Sequence, residues 1–588
     1  MSLKRRTIAR NVRRLDRELQ SASWRTYQDV LLLFVEDSPA EARQVVTSLL
    51  QEGNYLELIR WADSYSGAVH STASDAFGAN QLAALIKKYP FPIPNRQEDS
   101  RRRALDKFLA AEKQCGRYNL KLRTYKDKYA VETVVLQKMA DFIRYVIGDQ
   151  PDLRRVFSNC SFGPGASIGI HGNSTNLMRK LLAEEWTCTP TALPYAAEAV
   201  SMDHHLYELI RRRDDGYIDL DPLALREEFK ARTRLVHYNK ITTVPKTVLV
   251  DRTIAVEPLW NGYLQKGTDV VLRQCLKRIG IDLRDQTRNQ MLAKEGSYPY
   301  QSDPYVTIDL SNASDSISTS LVKRLLPPDW FDFLNRIRSP GFILPGESDV
   351  RSYEKFVSMG NGFCFPLETL IFASVCRLYS KPKDFSVYGD DIICRQSVAR
   401  KVLKTLWRIG FRHNTSKTFL EGPFRESCGA DWYEGRNIRP VTLDHELDSL
   451  SELIKLHNLS LRSPLVEARF SRVREYIETL VPYELYMCRP YRGNVYAAFE
   501  VELDKFQASA HALWRRETFS WSWLELDIKG VPDRGLLDDP RYPTALLMAA
   551  LRGSTSRQPF SYRRRTTQYV RSLSYAGAES TWLPPAGG

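Results

Sequence analysis

Apolar residues recur at helical spacing through residues 1–90, with Leu31, Leu32, Phe34 and Val35 on one stripe, which predicts a mostly helical segment. The proline-rich run Tyr89–Arg96 (YPFPIPNR) breaks that pattern, and residues 101–150 resume it as a charged helical stretch. Ser161–Asn176 holds four glycines and has no helical period, so it reads as a loop. Between residues 235 and 440 the texture changes. Short β-like runs at Ile241–Val244, Tyr305–Leu310 and Phe385–Tyr388 alternate with helical stretches such as Val398–Ile409, an α+β pattern. Residues 445–550 read as helix again, for example Leu447–His457 and Arg469–Leu480, and Pro584–Gly588 as a loose end. No internal repeat or low-complexity tract interrupts this order.

Composition narrows the class. With 43% hydrophobic and 26% charged residues among 588, the chain is neither a disordered polymer nor a membrane bundle. No stretch approaches the ~20 apolar residues that span a bilayer. The N-terminus lacks the apolar core of a signal peptide, and Asp16 and Glu18 speak against a transit peptide. Nine scattered cysteines without a CxxC pair exclude a disulfide scaffold, speak against a zinc site and fit a reducing compartment. The net charge is +14, of which +6 lies in residues 1–17 and +5 in residues 552–588. Such an excess points to a polyanionic partner, most often nucleic acid.

The chemistry concentrates at Phe385–Cys394 (FSVYGDDIIC). Strand-forming residues flank Gly389 and Asp390, so the run predicts a β-hairpin with this pair near its turn. A surface turn is the bland alternative. Against it, Val387, Ile392 and Ile393 would press Asp390 and Asp391 onto a buried sheet, where adjacent carboxylates repel unless a cation neutralises them. A second acid has a similar setting: YVTIDL predicts a strand ending near Asp309, followed by the turn-forming Ser311, Asn312, Ser314 and Asp315. A strand-end aspartate beside a hairpin-tip pair suits two Mg²⁺ ions, with Mn²⁺ a possible substitute, and in-line phosphoryl transfer.

Four further stretches carry candidates. In VPKTVLVDRTIAVEP, Lys246 and Arg252 can bind a triphosphate, or stand on an exposed strand. SMGNG, with Ser358, Gly360 and Asn361, is a flexible loop before a helix, suited to close approach of a nucleotide or template. Lys417 can donate a proton to departing pyrophosphate, or lie on the surface. EGPFRESCG at 421–429 predicts a tight turn or hairpin.

In order and wording, VPK…DRTIAVEP, IDLRDQTRNQ, IDLSNASDSIS, LLPPDWF, SMGNGF, LETLIFAS, VYGDD and TSKTFLEGPFRESCG resemble the replicase catalytic subunit of the single-stranded RNA bacteriophages. The resemblance is dense over residues 240–430, and FGPGAS at 162–167 shares it. It implies an RNA-directed RNA polymerase with a right-hand fold: an N-terminal helical region at 1–100, fingers at 101–295, a palm with an antiparallel sheet at 296–435, a helical thumb at 436–556 and a basic tail at 557–588. It also implies metal-binding roles for Asp309, Asp390 and Asp391, nucleotide contacts by Lys246, Arg252, Ser358, Gly360 and Asn361, and a general-acid role for Lys417. Many such polymerases sense the ribose with an acid five residues after the first aspartate. Here that position is Ser314 and the acid follows at Asp315. The implied partners are RNA template and product, ribonucleoside triphosphates, host elongation factors Tu and Ts and a host ribosomal RNA-binding protein, in the cytoplasm of an infected bacterium and with no membrane. Primer-independent initiation is also implied.

Two rivals remain at this stage. A reverse transcriptase shares the palm chemistry but usually has another residue in place of Gly389. A non-catalytic RNA-binding protein would use the basic ends but has no need of three acids. The aromatic-basic run Trp514, Arg515, Arg516, Phe519, Trp521 and Trp523 suits either a base-stacking platform or, preferably, core packing.

Overall fold

The helical period of residues 1–90 becomes four helices: α1 (Ser2–Val35), α2 (Ala40–Gln51), α3 (Tyr55–Ser64) and α4 (Ala73–Lys87). A computed structural model describes the chain apart from residues 1, 37, 66–71, 125–129, 171–176, 214–215, 218–220, 491–493, 516–519, 533–541, 552–559 and 576–588. On α1, Ile8, Val12, Leu15 and Leu19 recur at steps of three and four and are all buried, so one face of the helix is core. Thr72 starts α4 as its N-cap: its hydroxyl accepts from the Asp75 amide at 3.1 Å and donates to the Asp75 carboxylate at 2.7 Å. The prolines of YPFPIPNR end this helical group, and α5 (Arg96–Thr124) and α6 (Ala130–Ile147) follow.

The centre is α+β, as the pattern predicts. Strands β1 (Tyr238–Pro245) and β2 (Asp251–Val256) form an antiparallel pair, followed by helix α7 (Leu259–Arg278). A three-stranded antiparallel sheet then forms from β3 (Tyr305–Ile308), β4 (Phe385–Tyr388) and β5 (Asp391–Arg395), with β5 in the middle. Register pairs Tyr388 with Asp391 and Ile392 with Ile308, which sets the hairpin tip beside the end of β3. Helix α8 (Cys364–Arg377) is apolar almost all round and is buried against this sheet and α7. The amphipathic helix read at 398–409 is α9 (Gln396–Arg408), and residues 421–429 belong to a hairpin of β6 (Phe424–Ser427) and β7 (Ala430–Tyr433).

Two large hydrophobic cores result. One gathers α6 to α9 and the central sheet, through residues such as Met139, Leu272, Leu370 and Ile392. The other joins α1–α4 to residues beyond 420, including α10 (Leu450–Leu459) and α11 (Ser471–Leu480). Polar contacts fasten this second union. Gln81 exchanges two 2.8 Å hydrogen bonds with the backbone of Val441, the Leu450 amide donates to Asp16 at 2.9 Å, and Tyr476 donates to Asp29 at 2.6 Å. The first and last thirds of the chain, separate in sequence, thus share one core.

Helices α10 and α11 bear out the helical reading of 447–457 and 469–480, whereas parts of 488–532 are strand, as are residues 560–575, read as part of a tail. Residues 513–515 are a strand, and β8 (Ser520–Pro532) pairs antiparallel with β9 (Phe560–Tyr575), which packs against α1. Aromatic and β-branched residues favour the pleated conformation in both strands, and Trp521, Ser522, Trp523, Glu525 and Leu526 are buried. Phe506 meets the rings of Trp521 and Trp523 edge-on at 5.5 and 5.9 Å, so these tryptophans pack the core instead of offering a stacking platform. Arg516 and Phe519 lie outside the described residues. All nine cysteines are buried and none is in a disulfide. Among the described residues no helix is long and apolar enough to cross a membrane.

The second core contains a pH-sensitive group. His457 on α10 is buried, with its Nδ1 3.2 Å from Asn458 Oδ1. Burial pushes its pKa down to about 4, although the Asn458 contact opposes the shift. An unfolded histidine titrates near ~6.5. The unfolded chain therefore binds the extra proton between these values. Stability is fully present above pH ~6.5 and falls by about 1.4 kcal/mol per pH unit in the middle of the window down to about 4. Urea midpoints at pH 7 and pH 5 are expected to differ more for the wild type than for His457→Gln. Parallel shifts in the two proteins would place the acid sensitivity elsewhere.

Candidate active site

A cleft of about 710 Å³ opens at the end of the central sheet. It is lined by all the metal, nucleotide and general-acid candidates of the sequence except Ser358: Lys246, Arg252, Asp309, Ser314, Asp315, Gly360, Asn361, Asp390, Asp391 and Lys417. Ser358 is buried and does not line this cleft.

The acids sit where β-pairing puts them. Asp309 follows β3, where the Asn414 amide donates to its carbonyl at 2.8 Å and Asn414 Nδ2 donates to its carboxylate at 3.0 Å. Asp390 occupies the hairpin tip after Gly389. That glycine has φ +62°, and a Cβ there would lie 2.2 Å from the Phe365 ring, so conformation and space both require glycine. Asp391 opens β5, and its carboxylate accepts from the Cys428 amide at 3.3 Å and Ser427 Oγ at 3.4 Å.

Burial and mutual repulsion raise these carboxyls. Burial lifts Asp309 above the ordinary range with help from Asp390, against Lys417 and Asn414. Asp391 is pushed up to about 7 by burial and then by Asp390, with the Cys428 amide opposing. Glu368, a lone acid on the apolar helix α8, is held well above the carboxylate range by burial and then by Asp390 and Asp315. A bound cation would relieve this repulsion.

Hard carboxylate oxygens match Mg²⁺, which commonly uses one or two protein carboxylates and completes its shell with substrate phosphates and water. Among the described residues no three His, Cys, Asp or Glu side chains converge into a ready-made cage. Asp390 raises both Asp309 and Asp391, and the Asp391 carboxylate also accepts from the β6–β7 hairpin.

Cations share the cleft with the acids. Lys246 leaves β1, its amide donating to the Val250 carbonyl at 2.9 Å in the turn that leads to Arg252. Burial lowers the Lys246 pKa, Arg252 and Lys417 lower it further, and Asp309 opposes them. Lys417 lies 3.6 Å from Glu426. Burial alone would lower its pKa, but Glu426, Asp309 and Asp391 outweigh that and hold it above the ordinary lysine range. A general acid works best nearer the operating pH, so Lys417 suits proton donation only when those carboxylates are neutralised.

The SMGNG loop is clamped to β2. The Ala255 amide donates to the Met359 carbonyl at 2.7 Å. Gly360 has φ +112°, and a Cβ there would lie 2.2 Å from the Ala255 oxygen. Asn361 turns its Oδ1 to the Phe363 amide at 3.1 Å, and the Gly362 amide donates to Gln265 at 3.0 Å.

Sequence reasoning missed the group behind Asp315. Lys355 is fully buried, 2.8 Å from the Asp315 carboxylate and 3.6 Å from Glu112 on α5, with its ammonium 3.4 Å from the Phe108 ring centre. No local pattern marks Lys355 or Glu112. Glu368 had a signal, since one acid in the otherwise apolar LETLIFAS needs a reason to be there.

A family model described as RNA replicase, beta-chain, matches residues 39–475. The RNA-directed RNA polymerase subunit beta of Qbeta virus (strain MX1) is 37% identical over 374 residues, covering 61% of this chain and 58% of that one. That of Escherichia virus Qbeta is 38% identical over 369 residues, covering 60% and 57%. The RNA-directed RNA polymerase beta chain of Escherichia phage MS2 is 37% identical over 381 residues, covering 64% and 66%. The matched region thus spans less than two thirds of each of these relatives.

The Lys355 centre yields a stability prediction. Lys355→Met leaves buried Glu112 and half-buried Asp315 without their cation, at an expected cost of about 3 kcal/mol in urea unfolding. Adding Glu112→Gln is expected to recover part of the loss. A single-variant cost below about 1 kcal/mol would show that this ion cluster does not fasten α5 to the cleft.

Proposed function

The chain belongs to the RNA replicase beta-chain family, and from that premise we propose that it copies an RNA template into RNA by nucleotidyl transfer in this cleft. One observation carries the reading. Asp309 and Asp390 come from segments far apart in sequence, yet they raise the charge cost of one cleft that also holds Lys246, Arg252 and Lys417. Acids that hold metal beside bases that hold phosphate is what polymer synthesis from triphosphates requires.

In this reading the central sheet is the palm, residues 101–295 mainly fingers, and residues 436–556 the thumb of a right-hand polymerase. Lys246 and Arg252 grip the triphosphate, and Gly360 and Asn361 line the nucleotide's approach. Ser314 and Asp315 face the ribose, with Asp315 steadied by Lys355. The growing chain's 3′-hydroxyl gives its proton to water and its oxygen bonds to the α-phosphorus, the bond from that phosphorus to the oxygen bridging to the β-phosphate breaks, and Lys417 gives a proton to the departing pyrophosphate. Mg²⁺ held by Asp309 and Asp390 would supply the Lewis-acid charge that makes the hydroxyl acidic and neutralises the phosphates. Asp391 keeps the hairpin tip tied to Cys428 and adds negative charge to the site.

The resemblance to phage replicases extends the reading to primer-independent replication of a viral RNA genome in the cytoplasm of an infected bacterium, assisted by elongation factors Tu and Ts and a ribosomal RNA-binding protein.

Asp390→Asn is expected to lower Mg²⁺-dependent ribonucleotide incorporation on an RNA template by at least about 10²–10³-fold while RNA affinity stays near wild type. Deoxyribonucleotides are expected to be poor substrates for the wild type. Near-normal synthesis by the variant would refute the metal assignment, and efficient deoxyribonucleotide incorporation would favour a reverse transcriptase.

A further inference from the structure

Helix α1 presents a face that the catalytic reading does not use. Arg6, Arg10, Arg13 and Arg17 follow one another at steps of four, three and four, and all are exposed. At 3.6 residues per turn they form a single ladder about 16 Å long. Ile8, Val12, Leu15 and Leu19, at the same steps, occupy the opposite, buried face. The contact of Asp16 with the Leu450 amide fixes the helix, so the ladder cannot rotate inward.

Among the described residues no carboxylate forms an ion pair with any of the four. Arg14, off the ladder's line, is paired with Glu18 at 3.0 Å. The Nε groups of Arg13 and Arg17 reach only the backbone carbonyls of Ala9 and Arg13, at 3.2 and 3.3 Å. Strand β9, whose sequence includes Arg563, Arg564, Arg565 and Arg571, packs against the same helix. The fold therefore packs the basic helix α1 against a strand whose described residues 560–575 include four arginines.

None of these residues lines the catalytic cleft, and α1 precedes residue 39, where the family match begins. A protein partner would need apolar anchors, and the only large hydrophobic residue exposed on the described part of α1 is Leu32, four turns beyond the ladder. A file of guanidinium groups spaced by helical turns complements a phosphodiester backbone instead.

We propose that Arg6, Arg10, Arg13 and Arg17 form a binding site for the backbone of single-stranded RNA outside the catalytic cleft. Naming RNA as the polyanion rests on the polymerase reading. The ladder would hold a strand whose other part is engaged at the sheet, so that template affinity depends on salt through contacts remote from chemistry.

The test uses the full chain and an unstructured fluorescent oligoribonucleotide long enough to extend beyond the cleft. Binding is followed by anisotropy across a salt series, in EDTA and without nucleotides. Replacing all four arginines by Gln is expected to weaken low-salt affinity by about tenfold or more and to reduce the log–log salt slope by about 0.7 per lost contact, about 3 in all. Mg²⁺-dependent synthesis on a template too short to leave the cleft is expected to be unchanged. Arg6→Gln with Arg10→Gln should give about half the slope change, which provides a milder variant if the fourfold one folds poorly. Arg14→Gln, already paired, should leave the slope near wild type. An unchanged slope in both multiple variants, or an equal effect from Arg14→Gln, would overturn the proposal. Unchanged RNA affinity with lost binding to an acidic protein would overturn it in favour of protein docking. Failure of the polymerase reading shows separately, as synthesis that persists in Asp390→Asn.

Discussion

The repulsion among carboxylates at the end of the central sheet is the constraint on which the rest depends. Asp309, Asp391 and Glu368 all sit above the ordinary carboxylate range, chiefly because they are removed from water and then because they face Asp390 or one another. A fold tolerates such a cluster only if the backbone holding it is rigid. Here β5 lies between β4 and β3, and the tip is locked by a glycine that has no room for a side chain. Neighbouring groups ease the cost: Asn414 and the Cys428 amide donate to carboxylates, and Lys417 lies in the field of four acids. The remaining imbalance is what a cation and a triphosphate would discharge together.

Around this centre the two large cores divide the work. The first buries the sheet against α7 and α8 and fixes the acids. The second ties the N-terminal helices to residues beyond 420, so both ends of the chain brace one body. Val248 and Leu249, in the turn between β1 and β2, belong to this second core, and Lys246 and Arg252 stand on either side of that turn. The position of the cations thus depends on packing contributed from both ends of the sequence.

A second buried electrostatic centre lies beside the first. Lys355, Glu112 and Asp315 join α5, the segment after β3 and the approach to the SMGNG loop. Three charges in a core are weak evidence for stability, since well-packed apolar residues often do as well. Their geometry has another use: one of the three, Asp315, faces the cleft, and its carboxylate is held by a side chain that is itself immobile. By contrast, the arginines of α1 are left to solvent, where a strand of phosphates can reach them.

What the sequence by itself determined is local. Strand-forming residues around Gly389 and Asp390 specify the hairpin, YVTIDL specifies the strand that ends at Asp309, and the helical period marks α1 and α9, because each pattern reflects the burial of one element. The wording of the motifs carried the family. Tertiary structure alone decided the rest. It brought Asp309 to Asp390 through the register of β3 on β5, turned Ser358 inward, supplied Lys355 as the partner of Asp315, and merged α1–α4 with residues beyond 420 in one core. It also made strands of Ser520–Pro532 and Phe560–Tyr575, which had read as helix and tail. These outcomes depend on which surfaces meet across hundreds of residues, and the free energy of that burial is not written in the periodicity of either partner.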